Sequence, residues 1–288
     1  MADLRTILCP VDFSTATERQ VAVAAELCRR FGAKLVVQHN LDTPAPGAAV
    51  GWMWSEGHHA VPSESVDEQR LRALLATVPE GVVAEARITH GPPSTAVLIV
   101  AELIDADLVV LSTHGRAPEE HTSVTERVLE RSRCGVLALH ESTIEGAAPH
   151  FASQEDRPWN VLVPVSFSGG SRPAVEFAFD LARKLPIELH LLHIGGPDAE
   201  SSRQLAAIVP ADLAPRVHLH VDHGDPPAAI AAAAARIEAA WIVMGEHRRT
   251  TLRRWFTRDT GVGVLHYAHC PVWYVPEQPR QRGVAATG

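Results

Sequence analysis

Two polar turns, each ending an apolar run, hold the residues best placed to do chemistry. Leu111-Ser112-Thr113-His114-Gly115 continues Leu108-Val109-Val110, and Gly245-Glu246-His247-Arg248 continues Trp241-Ile242-Val243-Met244. The two histidines stand 133 positions apart (247 − 114). Ligands of parallel sheets bind outside the carboxyl ends of the strands, so small-molecule chemistry belongs at these turns. A histidine there invites a general-base role, but neither turn sets a nucleophile or a carboxylate pair at a defined spacing beside it. A positioning or hydrogen-bonding role is the better reading. A second constellation is His218-x-His220-x-Asp222, where period two puts two imidazoles and a carboxylate on one strand face while Val217, Leu219 and Val221 face the core. These are acceptable zinc ligands, although a fourth would have to come from elsewhere. His58-His59 has less context still.

The elements that would carry these turns alternate. Thr6 to Val11 reads as a buried strand, followed by a helix capped by Ser14 or Thr15. Val21, Ala24, Ala25 and Cys28 form its apolar stripe, and Gly32 ends it. Strands over 34–41, 82–89, 107–112 and 136–140 alternate with helices over 64–77, 94–104 and 122–133. That alternation predicts βαβ units with right-handed crossovers. Between Asp42 and Pro62 lies a long Pro-, Gly-, Trp- and His-bearing loop, a lid or partner contact, with Trp52 and Trp54 either folded over the sheet or presented to a partner.

The chain then starts again. Leu162, Pro164, Val165, Phe167 and Ser168 repeat Leu8, Pro10, Val11, Phe13 and Ser14 at a constant offset of 154 (162 − 8). The offset drops to 133 at Gly224 against Gly91, a loss around the long loop, and rises to 136 at Cys270 against Cys134, a deletion in the first half's glycine turn. Two domains are expected, 1–141 and 158–276, with a linker over 142–157 and a disordered tail over 277–288.

Composition removes other classes. A net charge of −8 argues against a nucleic-acid or anionic-membrane binder, and no apolar run is long enough to span a bilayer. With no signal-peptide layout at its amino terminus, the chain reads as cytoplasmic. The four cysteines lie in or beside apolar runs and read as buried thiols.

Taken together, Pro10-Val11-Asp12-Phe13-Ser14, Thr113-His114-Gly115-Arg116, Glu126-Arg127-Val128-Leu129 and Cys270-Pro271-Val272 resemble the universal stress protein family in a tandem form. The resemblance implies two α/β domains, flavodoxin- or Rossmann-like (adenine nucleotide alpha hydrolase-like). Each would be a five-stranded parallel sheet of order 3-2-1-4-5 between helices. It further implies an intrachain pseudo-dimer with Val136 to Leu139 beside Val272 to Val275, a homodimer or an unidentified protein as further partners, and a stress-response role without catalysis. A slow ATP hydrolase or phosphotransferase and an interaction scaffold are the rivals.

ATP-binding members are similar to one another in a G-x2-G-x9-G-[S/T] signature plus an aspartate ending the first strand. By that resemblance the first half's nucleotide site comprises Pro10, Val11, Asp12, Gly91, Leu111, Ser112, Gly115, Thr122, Ser123 and Val124, with Ser112 in place of the first glycine and a shortened loop. In the second half Gly245 keeps the first glycine, but Arg248 and Arg258 replace the others, Asp259 replaces the serine and Ser166 the aspartate. The expectation is ATP held at most weakly by the first half and a lost or altered site in the second. Arg248, Arg249, Arg253, Arg254 and Arg258 form either a different anion site or a solvated loop.

Overall fold

The computed structural model describes residues 3–41, 65–113, 124–140, 158–167, 170–196, 199–245 and 258–276. The chain divides into two compact units. One comprises Asp3–Val128 with Leu139–Ser153; the other comprises Leu129–Ala138 with Gln154–Gly288 and Met1–Ala2.

In the first unit β1 (Thr6–Val11), β2 (Lys34–Leu41), β3 (Ala84–His90) and β4 (Leu108–Thr113) pair in parallel in the order β3-β2-β1-β4. Ile7, Leu8, Cys9, Val37, Val109 and Val110 are fully buried, as near-continuous apolar strands covered on both faces should be. The connecting helices are α1 (Thr17–Phe31), α2 (Val66–Leu75) and α3 (Pro93–Leu103). Val21, Ala24, Ala25 and Cys28 form the buried stripe of α1, and Gly32 ends it in the left-handed region at φ 66°. The start of α1 differs from expectation. Neither Ser14 nor Thr15 caps it; Ala16 occupies the cap, and Asp12 Oδ1 accepts instead from the Ser14 amide at 3.0 Å and the Thr17 hydroxyl at 3.4 Å. Helix α2 carries a reciprocal capping box between Ser65 and Glu68.

Helix α4 (Val124–Arg131) leads to β5 (Gly135–His140). In the second unit β6 (Trp159–Pro164), β7 (Ile187–Ile194), β8 (Val217–Asp222), β9 (Trp241–Gly245) and β10 (Val272–Val275) form a parallel sheet of order β8-β7-β6-β9-β10, the expected 3-2-1-4-5. Its helices are α5 (Arg172–Lys184), α6 (Ala199–Ala207), α7 (Pro226–Arg236) and α8 (Arg258–Tyr267). Strand β5 pairs antiparallel with β10, Val136 opposite Tyr274 and Ala138 opposite Val272, as the resemblance implies for the last strands. The duplication reaches details that the residue pattern conceals: Asp105 and Glu238, each just past the third helix of its half, both stand at φ 51°.

One expectation about β8 fails. Leu219, expected in the core, is 40 % exposed, because β8 is the outermost strand and the flanking elements cover it incompletely.

Candidate functional site

The carboxyl ends of β1 and β4 are fixed by one buried side chain. Gln20 on α1 donates its Nε2 to the carbonyls of Pro10 (2.6 Å) and Val110 (2.9 Å), tying the two strand ends together beside Leu111. Past Val11 the chain turns through Phe13 at φ 58° and leaves Asp12 exposed, with Oδ1 anchored by Ser14 and Thr17. His39 on β2 holds this turn: its Nδ1 lies 2.9 Å from the Val11 carbonyl and its ring packs 4.4 Å from that of Phe13. The Arg70 guanidinium covers the same phenyl ring at 5.4 Å. The Ser14 hydroxyl is buried without a partner among the described residues.

At the end of β3 Gly91 adopts φ 98°, which only glycine takes readily. Its amide donates to the Leu41 carbonyl (3.1 Å) and its carbonyl accepts from Asn40 Nδ2 (2.7 Å). A β-carbon there would meet none of the described residues within 4 Å, and the positive φ of the turn is what calls for glycine. Ser112 accepts at its carbonyl from the Thr125 hydroxyl (3.3 Å), which joins the end of β4 to α4 beside the exposed Val124. Pro10, Val11, Asp12, Gly91, Leu111, Ser112 and Val124 thus lie at the carboxyl ends of β1, β3 and β4 or at the helix that follows. Gly115, Thr122, Ser123 and His114 lie outside the described residues, as do His58, His59, Trp52 and Trp54.

The second half builds the same turn with different chemistry. His193 repeats His39: its Nδ1 is 3.0 Å from the Val165 carbonyl and its ring 4.3 Å from Phe167. Ser166, in place of Asp12, donates its amide to Ser171 Oγ (2.9 Å), and that hydroxyl donates back to the Ser166 carbonyl (3.0 Å). The largest difference is at Gly245. A β-carbon there would stand 2.4 Å from the carbonyl oxygen of Gly170 and 3.3 Å from Ser171 Cα, so the space freed at the end of β9 is filled by the chain's own backbone. Arg258 and Asp259 open α8, and Arg248, Arg249, Arg253, Arg254 and His247 lie outside the described residues.

His218, His220 and Asp222 do share β8, but His218 Nε2 faces Glu188 Oε2 at 3.1 Å and His220 Nε2 faces His190 Nδ1 at 3.0 Å. Among the described residues no three His, Cys, Asp or Glu converge to hold a metal ion. The four cysteines are thiols, not disulfide partners of one another. Cys9, Cys28 and Cys270 are buried as expected, whereas Cys134 is half-buried. Burial pushes the Cys28 and Cys270 thiols up to about 12 and that of Cys9 further still, so none of these three supplies a thiolate near neutrality.

Residue-pattern reasoning missed His39 and His193. They stand 154 apart (193 − 39), the same offset that relates Leu8 to Leu162, so extending the repeat through the second strand would have found them.

The universal stress protein family model matches residues 3–140 and 196–276. Among solved structures, a universal stress protein from Archaeoglobus fulgidus is 21 % identical, with 94 % of this chain and 96 % of that one covered at a TM-score of 0.66. A putative universal stress protein from Pseudomonas aeruginosa is 14 % identical, with 95 % and 93 % covered at a TM-score of 0.63. No match was found among curated proteins.

Proposed function

Because the chain belongs to the universal stress protein family, we propose that it is a tandem stress-response binding protein whose first half takes up an adenine nucleotide weakly and whose second half has given up that capacity. The domains of this reading are 1–141 and 158–276, joined by 142–157, working as an intrachain pseudo-dimer in the cytoplasm. The observation that supports it best is the contrast at the ends of the fourth strands. In the second half the Gly170 carbonyl crowds the place where a β-carbon of residue 245 would be, so main chain takes up the room at that glycine, and Ser166 offers no carboxylate to a ribose. Those residues do not fit the ligand. In the first half the residues fit its nucleoside part: Asp12 is exposed with a fixed carboxylate, and Gly91 leaves open space among the described residues. A ligand polar atom reaching the unpartnered Ser14 hydroxyl would recover some of the ~1–3 kcal/mol that a buried unsatisfied group costs. The phosphates would fall to Gly115, Thr122 and Ser123.

Titration of the full chain with ATP and magnesium in a calorimeter tests the reading. One site per chain, abolished by Asp12→Ala and unaffected by Ser166→Ala, supports it. Two equivalent sites, or binding indifferent to Asp12→Ala, overturns it, and phosphate release dependent on Asp12 makes the protein a slow hydrolase instead.

A further inference from the structure

Three imidazoles form a ladder across β7 and β8. His190 is buried in β7, with Nδ1 3.0 Å from His220 Nε2 and Nε2 3.3 Å from Oδ1 of Asn160 on β6. Its ring stacks at 4.7 Å on that of His218 and runs nearly parallel to that of His220, centroids 5.2 Å apart, as an edge-to-edge hydrogen bond requires. The groups facing this ladder are Glu188 on β7, His218, His220 and Asp222 on β8, and Arg236 on α7, which lies 3.7 Å from Asp222. His223, just past β8, stands 3.6 Å from the same carboxylate, and β6 contributes only the neutral Asn160.

Asn160 sets the proton positions. Its Nδ2 donates to the Ile237 carbonyl at 2.7 Å, so Oδ1 is the atom turned towards His190 and accepts from Nε2–H. A neutral His190 then has only a lone pair at Nδ1, which accepts from Nε2–H of His220. An added proton on His190 goes to Nδ1, and His220 must then carry its own proton on Nδ1 and turn the Nε2 lone pair to it; with both rings protonated two N–H donors would meet head-on. The pair holds one added proton at most. Burial, then the neighbouring His218 and His220, push the pKa of His190 down to about 4. Burial, Arg236 and His218 outweigh Asp222 and also hold that of His220 below its ordinary value.

The equivalent edge of the first unit contains no imidazole at these positions. By strand register Lys34 stands for Glu188, Val36 for His190, Glu85 for His218 and Arg87 for His220. Lys34 and Arg87 both pair with Glu85, at 2.5 and 3.7 Å.

We propose that the imidazole ladder makes β8 a proton-operated latch, shut near neutral pH and released in mild acid, while the ion-paired β3 of the first unit has no such response. The sign follows from linkage. A histidine freed from the sheet takes its proton near pH 6.5, whereas His190 in place resists until about pH 4, so acid favours the opened strand throughout that window. Among the described strands β8 pairs with β7 alone, over the pairs from Leu189–Val217 to Ile194–Asp222, and beyond that it packs against α6, so it can leave without dismantling the core.

Hydrogen exchange on the full chain at pH 7.5 and 5.0, corrected for intrinsic rates, tests this. Residues 217–222 should lose about tenfold in protection at the lower pH while residues 84–90 change less than about twofold. His190→Val, which copies the first unit, should remove the response. Unchanged protection in 217–222, a parallel loss in 84–90, or a response that survives His190→Val overturns the latch. If that variant does not fold, histidine NMR of the unaltered chain decides: His190 ring signals titrating near the free-histidine value overturn it, and titration far below, together with β8 amide changes, upholds it.

Discussion

The two halves share a backbone plan and differ in what fills it. Where the first half ties β1 to β4 with the amide of Gln20, the second has Ala174 at the same repeat position and packs it fully. Asp12 gives way to Ser166, whose backbone is satisfied by Ser171. Ser112 gives way to Gly245, and the Gly170 carbonyl takes up the room. One end of the first sheet is propped by polar side chains that leave a carboxylate outside; the corresponding end of the second is closed by main chain. The lesson concerns glycine. Its presence at a strand end marks close approach of something, and only neighbours distant in sequence tell whether that is a ligand or the protein itself.

Four perturbations would break or sharpen this contrast. The largest effect is expected from Gly245→Ala: its methyl would meet a backbone oxygen that cannot rotate away, destabilising the second unit by about 3 kcal/mol in urea unfolding. A neutral outcome would mean that the 170–171 segment yields easily and the site can open. Next, Gln20→Ala gives the first half the second half's residue but strips two carbonyls of their donor, at about 2 kcal/mol; unfolding monitored on β1 and β4 peptides checks it. Third, lowering the pH from 7.5 to 5.0 should weaken the second unit alone, by about 1–2 kcal/mol after allowance for the ladder's partial contact with water, and the loss should reverse as pH rises again. Smallest, Lys34→Met removes an exposed ion pair and should cost under about 1 kcal/mol, an effect that disappears at high salt.

Much of the fold is legible along the chain because its signals are local. The buried runs at Thr6–Val11, Lys34–Leu41 and Leu108–Thr113, the stripe on α1 and the glycine that ends it all obey single-element rules. The start of α1 went astray because Asp12 binds the Ser14 amide and the Thr17 hydroxyl, and the helix begins past both candidate caps, with Ala16 at the cap. Leu219 went astray because alternation tells which face a residue takes and not whether anything covers that face. His190 reads as one more residue of an apolar strand until β6 and β8 bring Asn160 and His220 to it. The filling of Gly245 depends on a segment some 75 residues earlier (245 − 170), beyond the reach of any periodicity.

The antiparallel seam between β5 and β10 also limits how the chain can be divided. A fragment starting at residue 158 would keep its own five parallel strands yet lose the neighbour of Trp273 and Tyr274. The bare main-chain donors and acceptors of β10 would then be offered to a second copy, so the excised piece should be recovered as a self-paired species and not as a free monomer.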